Sequence, residues 1–301
     1  MLCIGVTMLD YRAHTFLVAY RLHSYTAAAR ELHITQPAVS QHIKYLETHY
    51  GCPLFVTHGR TIAATAAGDL LYQRLSVMEN DERRIETELA RLSRGADEPL
   101  RLGCTRTIAD YAAPRLLTEY VTCHPERPIH LQCGNTSELL GCIETGALDV
   151  ALIEGPYNRN DFDGVTLSEE PYLAVASAQR GAELGHPRSI DDLLGQPLIV
   201  REEGSGTREI LERNLAARGL DLASFASVTE MASIPVIKEF VRADRGVTFM
   251  YRIAVEKELA DGSLVDVTPI DFAITHHFDL VWQRGSIYEP QFRALFSPHA
   301  R

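Results

Sequence analysis

The sequence predicts a multidomain chain: an α-rich winged helix-turn-helix head, a long linker helix, and an α/β body of two lobes. Three observations predict it. Two short helical patterns joined by a tight turn occupy residues 24–50. An amphipathic run without proline follows from Ala66 to about Leu92. Beyond Pro99, strand-like and helix-like segments alternate, the pattern of a parallel sheet with crossover helices.

The head reads element by element. Phe16, Leu17, Ala19 and Tyr20 recur at helical spacing between Tyr11 and His23. Ser24 and Thr26 offer caps for a short helix, Ala27 to Leu32. After the turn His33-Ile34, Thr35 caps the next helix, and Pro37 is tolerated in its first turn, where the amide has no intrahelical partner. Val39, Ile43 and Leu46 form one apolar stripe, and Gly51 is the stop. Ala28, Leu32 and Phe55 join that stripe as core. Leu54-Phe55-Val56 and the polar turn through His58-Gly59-Arg60 supply a wing.

Along the long run, Leu70, Leu71, Leu75, Met78, Ile85, Leu89 and Leu92 make an apolar face, and a helix of that length usually pairs with a copy of itself. Arg94-Gly95-Ala96-Asp97-Glu98-Pro99 is the linker. The body then gives strands at 100–104, 129–133, 149–153, 198–200, 225–228 and 247–250. Helices are expected at 109–121, 137–145, 208–218 and 234–242. Two similar α/β units suggest two lobes with a cleft. The boundaries drawn are 1–66 for the head, 67–94 for the linker helix and 95–301 for the body. Lobe I takes about 99–170 and 274–301, and lobe II about 171–273.

Charge is distributed unevenly. The chain carries −11 overall. Residues 1–68 hold Arg12, Arg21, Arg30, Lys44 and Arg60 against Asp10, Glu31 and Glu47, a net +2, so the rest carries −13. Six of the 12 histidines also lie in that segment. A mildly basic head on an acidic body fits a nucleic-acid contact confined to the head. The six cysteines show no CxxC or zinc-ligand spacing and are expected as reduced, mostly buried thiols, although Cys104 and Cys133 fall on neighbouring strands. No apolar run spans a membrane, and the first seven residues lack a basic flank, so a cytoplasmic protein is expected. Met1 and Met8 both stand as candidate starts. No metal site is expected. No Gly-x-Ser-x-Gly, His-Glu-x-x-His or phosphate loop nominates a catalytic residue.

The run Ser24-Tyr25-Thr26-Ala27-Ala28-Ala29-Arg30-Glu31-Leu32, with Thr35-Gln36-Pro37-Ala38-Val39-Ser40-Gln41-His42-Ile43-Lys44-Tyr45-Leu46-Glu47, resembles the LysR-type transcriptional regulators. Gly51-Cys52-Pro53-Leu54-Phe55, Arg60 and Thr65-Ala66-Ala67-Gly68 continue the match. So do Gly134-Asn135, Gly146-Ala147-Leu148-Asp149 and Asp279-Leu280-Val281. The resemblance implies a dimerising linker helix, an effector domain similar to periplasmic solute-binding proteins, and a homotetramer. It implies double-stranded DNA and a second copy as partners, with RNA polymerase as a further one. Two departures stand out. Thr57 occupies a position that is often basic. Asp244-Arg245-Gly246-Val247 replaces a Gly-rich turn and is expected to alter the floor of the effector cleft.

A helix in the major groove presents its N-terminal side chains to base edges. Gln36, Pro37, Ser40 and Gln41 are therefore the candidate reading residues, with Thr35 at the helix start included in the DNA-binding set and Lys44, His42, His58 and Arg60 suited to phosphates. On an isolated helix the same residues would only solvate an exposed face. In the body, Thr105-Arg106-Thr107, Asn135-Thr136-Ser137 and Gly204-Ser205-Gly206-Thr207-Arg208 put hydroxyls and free amides at helix starts. The last, with Arg201, resembles regulators of carbon fixation and sulfur assimilation. The expected effector is a small anion, with no cofactor. Thr105, Thr107, Asn135, Thr136, Ser205 and Thr207 would hold it, and Arg106 or Arg201 would supply charge. Ordinary capping by Ser and Thr explains the same residues without a ligand. A solute-binding module or an enzyme on the same two-lobed fold is the alternative.

Overall fold

The computed structural model describes residues 9–58, 61–94 and 99–296. They fall into two compact units. The first takes the chain through Glu98, with Glu144–Gly146 and Gln283–Glu289, and the second takes the rest.

In the first unit α1 (Tyr11–Leu22), α2 (Tyr25–Glu31) and α3 (Gln36–Tyr50) precede the hairpin of β1 (Phe55–His58) and β2 (Thr61–Ala64). Ser24 caps α2, its Oγ accepting from the Ala27 amide at 3.2 Å, so the helix begins two residues before the expected Ala27. Gly51 ends α3 at φ +70°, a conformation that costs glycine little. Phe16, Leu17, Ala28, Val39, Ile43, Leu46, Leu54 and Phe55 form the core, and Leu32 packs half-buried against it.

The helix α4 (Ala66–Arg94) runs 29 residues. Its first turns join the head core through Leu71, Leu75 and Tyr72, whose ring stacks on Tyr20 at 3.9 Å. Gly68 lets the backbones touch, since a Cβ there would stand 2.2 Å from the Leu54 carbonyl oxygen. Farther along, buried polar groups satisfy one another: Asn80 Nδ2 donates to Gln283 Oε1 at 2.7 Å, and Gln283 Nε2 to Ser76 Oγ at 2.9 Å. Leu70, Met78, Leu89 and Leu92 stay exposed, Leu92 at 83%.

In the second unit β3 (Leu100–Thr105), α5 (Ala113–Cys123), β4 (Ile129–Gly134), α6 (Thr136–Glu144) and β5 (Val150–Ile153) build lobe I. The strand β6 (Phe162–Ser177) leads into lobe II. There follow α7 (Ala178–Leu184), α8 (Asp191–Leu194), β7 (Pro197–Val200), α9 (Gly206–Ala216), β8 (Ser227–Glu230), α10 (Ile234–Arg242), β9 (Val247–Tyr251), α11 (Arg252–Asp261) and β10 (Leu264–Asp266). The strand β11 (Ile274–Gln283) returns to close lobe I, antiparallel to β5. The sheet order is β4-β3-β5-β11-β6-β9-β7-β8, with β10 on β6. β3, β4 and β5 run parallel, as do β7, β8 and β9.

Several expectations shift. The helix expected at 109–121 is a π-turn at Ile108–Ala112 followed by α5, because Pro114 has no amide to continue the ladder. The strand expected at 225–228 lies at Ser227–Glu230, since Phe225 ends a 3-10 turn and packs edge-on against Phe249. The long β6 was not expected, because Ser168-Glu169-Glu170-Pro171 interrupts its apolar texture. The thiols are not mostly buried: among the described cysteines only Cys104 is, and its register partner Cys133 lies exposed on the edge strand β4. No helix among the described residues is long and apolar enough to cross a membrane.

A partly buried carboxylate ties α4 to α1. Glu79 accepts from His14 Nδ1 at 2.7 Å and from Arg21 Nη2 at 2.7 Å, with its side chain 11% exposed. Burial alone would raise this carboxyl, but the His14 and Arg21 bonds outweigh it and pull it down to about 2 from 4.5. A carboxyl depressed on folding stabilises fully above pH 4.5, and its contribution fades as pH falls toward 2. Denaturant unfolding of the head is expected to lose about 2 kcal/mol more in the wild type than in E79Q between pH 5 and pH 3. Parallel losses would deny Glu79 this role.

Candidate functional site

The head builds its candidate surface on α3. Thr35 caps that helix, its Oγ1 accepting from the Ala38 amide at 3.3 Å. With Val39, Ile43 and Leu46 buried, the 3.6-residue period sends Gln36, Pro37, Ser40, Gln41 and Lys44 outward, and all five are exposed. His42 does not join them. Its Nδ1 meets Thr15 Oγ1 at 3.0 Å and its ring stands edge-on to Tyr11. Burial, followed by the Arg12 charge, lowers its pKa, and its ring packs against α1 instead of sharing the exposed face. His58 ends β1, paired in register with Thr61, but its side chain and Thr57's lie outside the described part, as does Arg60.

The body builds its candidate site at the carboxyl ends of β3, β4, β5 and β7. Thr105, Arg106, Gly134, Asn135, Glu154, Arg201, Glu202, Ser205 and Gly206 line a cleft of about 20 Å³, room for one water. Asn135 locks the start of α6: its Oδ1 accepts from the Glu138 amide at 2.9 Å, and Glu138 Oε2 accepts from the Asn135 amide at 3.0 Å. Thr136 is buried, and its Oγ1 has no hydrogen-bond partner. Ser205 stands at the N-cap of α9 without a side-chain cap bond, so the hydroxyl is not consumed by capping.

Thr107 and Thr207 lie behind the lining, their hydroxyls 3.4 Å apart. Both belong to the surroundings of Glu154, which the sequence pattern did not nominate. Thr105 Oγ1 donates to Glu154 Oε2 in a short bond, and Thr207 Oγ1 reaches Oε1 at 3.5 Å. Burial raises the Glu154 carboxyl, against the opposing pull of Thr105, Thr107, Arg201 and Thr207. Arg201 is 6% exposed and grips Glu202 with two bonds, Nε to Oε2 at 2.8 Å and Nη2 to Oε1 at 2.9 Å. Burial would raise Glu202, but this fork holds it below the ordinary range. Arg106 is exposed at the mouth.

The Asp244 turn does not form the cleft floor. Asp244 Oδ1 accepts from Ser177 Oγ at 2.7 Å and Arg180 Nε at 2.9 Å, ahead of β9. The cleft gathers the opposite, carboxyl ends of its strands. Glu154 had one faint sequence signal, a charged residue directly after the apolar strand Val150-Ala151-Leu152-Ile153.

The chain was compared with known proteins. Residues 12–69 match the profile of the bacterial regulatory helix-turn-helix protein of the lysR family, and residues 93–297 that of the LysR substrate binding domain. The HTH-type transcriptional regulator CysL of Bacillus subtilis is 30% identical over 245 residues, 81% of each chain. The HTH-type transcriptional regulator CbbR of Rhodospirillum rubrum is 30% identical over 272 residues, 90% of this chain and 89% of the relative. Among solved structures, full-length LysG from Corynebacterium glutamicum with bound effector Arg superposes with a TM-score of 0.66 at 18% identity, covering 96% of each chain, a likeness of fold.

The Thr35 cap yields a direct test. T35A is expected to lower head stability by about 1 kcal/mol in denaturant unfolding, because an orphan amide at the start of α3 loses its acceptor. An unchanged midpoint would show that water serves this cap equally well.

Proposed function

This chain belongs to the LysR family of bacterial regulatory helix-turn-helix proteins, and on that premise we propose that α3 reads DNA while the body senses a small anion. As a family member it is a DNA-binding transcription regulator with an effector-binding domain. The relatives compared above carry the names of transcriptional regulators.

For DNA, the reading rests on the five exposed residues that share one face of α3. Gln36 and Gln41 are long enough to pair with adenine edges, and Ser40 is permissive. Lys44, one turn farther on, meets a phosphate. The head's charge of +2 makes one copy a weak binder. Two or more copies are therefore needed, and the apolar face of α4 supplies the contact: exposed Met78, half-buried Ile85 and exposed Leu92 recur every seven residues, with exposed Leu89 between. A tetramer extends the same logic. RNA polymerase is the expected further partner of a regulator held on DNA.

For the effector, the single observation that carries the reading is the convergence of three helix-start turns on one cleft. Thr105, Asn135 and Ser205 come from three different strand ends and line the same cleft, beside the starts of α6 and α9. Thr136, whose buried hydroxyl has no hydrogen-bond partner, is not among the residues lining the cleft.

Two measurements test these assignments. K44A should weaken binding about equally on all DNA sequences and flatten the salt dependence by about one ion, while Q41A should cost about 1–3 kcal/mol on the cognate site and little elsewhere. Identical losses on both DNAs would unseat Gln41 as a reader. Phosphate, sulfate, sulfite and small carboxylates should include at least one that raises the melting temperature of the body, and that gain should shrink in S205A. A body indifferent to all of them would end the anion reading.

A further inference from the structure

Glu154 sits at the carboxyl end of β5 and is 3% exposed, yet it lines the cleft. Arg106, Arg201 and Glu202 are the other charged groups of that lining. Arg201 already spends its fork on Glu202. With Glu154 ionised, two carboxylates balance two guanidiniums and no positive charge is left for an oxyanion. With Glu154 protonated, one positive charge is in surplus and an O–H can donate toward the cavity. The remaining titratable groups around Glu154 are Cys104 of β3 and Tyr251 of β9, and burial raises both so that they stay neutral. Thr105, Thr107 and Thr207 complete the surroundings as neutral hydroxyls.

Resting on the anion reading above, we infer that Glu154 and the effector share one proton. The Glu154 carboxylic acid donates to an oxyanion that has none, taking its proton from solvent. Alternatively, the Glu154 carboxylate accepts from an oxyanion that brings its own. Either route ends in the same complex, with one O–H between two oxygens and no other bond made or broken. The raised carboxyl of Glu154 is the buried acid this arrangement needs. Once Glu154 has lost its proton, the site distinguishes two anions of similar size. Hydrogen phosphate still supplies the bridging proton, whereas sulfate does not and meets an unpaired buried carboxylate.

Calorimetric titration of the full chain with inorganic sulfate and inorganic phosphate from pH 6 to pH 9 tests this, in the wild type and in E154Q. Glutamine keeps a donor and the shape but cannot titrate. Above the titration of Glu154, the wild-type sulfate dissociation constant should climb toward about tenfold per pH unit. The preference for phosphate over sulfate should grow about tenfold more in the wild type than in E154Q. Titration in two buffers of different ionisation enthalpy, on the wild type alone, should show up to one proton taken up with sulfate at pH 9 and less with phosphate. Equal pH profiles in wild type and E154Q, or no proton uptake with sulfate, would overturn the shared proton while leaving the anion reading intact. Absence of binding by both ions to both proteins at every pH would overturn the two together.

Discussion

The parallel register of the two strand sets is the constraint from which the body's chemistry follows. β3, β4 and β5 share one direction, and β7, β8 and β9 share another. Parallel strands deliver their carboxyl ends to one edge, where each chain must turn into a crossover helix. The turns after β3 and β4 therefore open at one edge, and the turn after β7 lines the same cleft with them. The crossing strands β6 and β11 hold the lobes to each other, so the convergence is a property of the sheet path and not of any single loop.

Within that crowd, charge is nearly balanced, and under the anion reading proposed above that balance would make the site selective. Arg201 and Glu202 neutralise each other through a two-pronged bond, which fixes the guanidinium but removes its charge from use. Glu154 is enclosed by threonine hydroxyls that satisfy its oxygens in part and by a medium that penalises its ionisation. A site made only of positive ends would take any anion of the right size. A buried carboxyl among them turns protonation into a criterion for binding.

The head solves a different problem with the same economy. Helix α3 divides cleanly into a buried stripe and an outward face, and its cap, Pro37 and terminal glycine set where both begin and end. α4 is clamped to α1 by Glu79, whose bonds from His14 and Arg21 outweigh the cost of its burial. The Tyr20–Tyr72 stack and the close approach at Gly68 seat the same two elements. Helix α3 thus packs on a core shared with the start of α4, while the far end of α4 still shows the apolar residues that a second copy would cover.

By itself the sequence determined what depends on near neighbours along the chain. Caps, turns, the apolar period of α3, the unbroken α4 and the alternation of strands and helices are all written within a few residues of where they act. Their physics is local hydrogen bonding and periodicity. The tertiary structure decided what depends on residues far apart. His42 reads as a basic surface residue until Thr15, 27 positions away, takes its ring. Cys133 looks like its partner Cys104 until the edge of the sheet exposes it. β6 is a strand because β9, β10 and β11 flank it, whatever the polar break in its own sequence. Glu154 is the sharpest case: its hydroxyl partners lie 49 and 53 positions away, and no pattern around residue 154 announces them. A carboxyl's role is set by the medium and the donors around it, and only the folded chain supplies both.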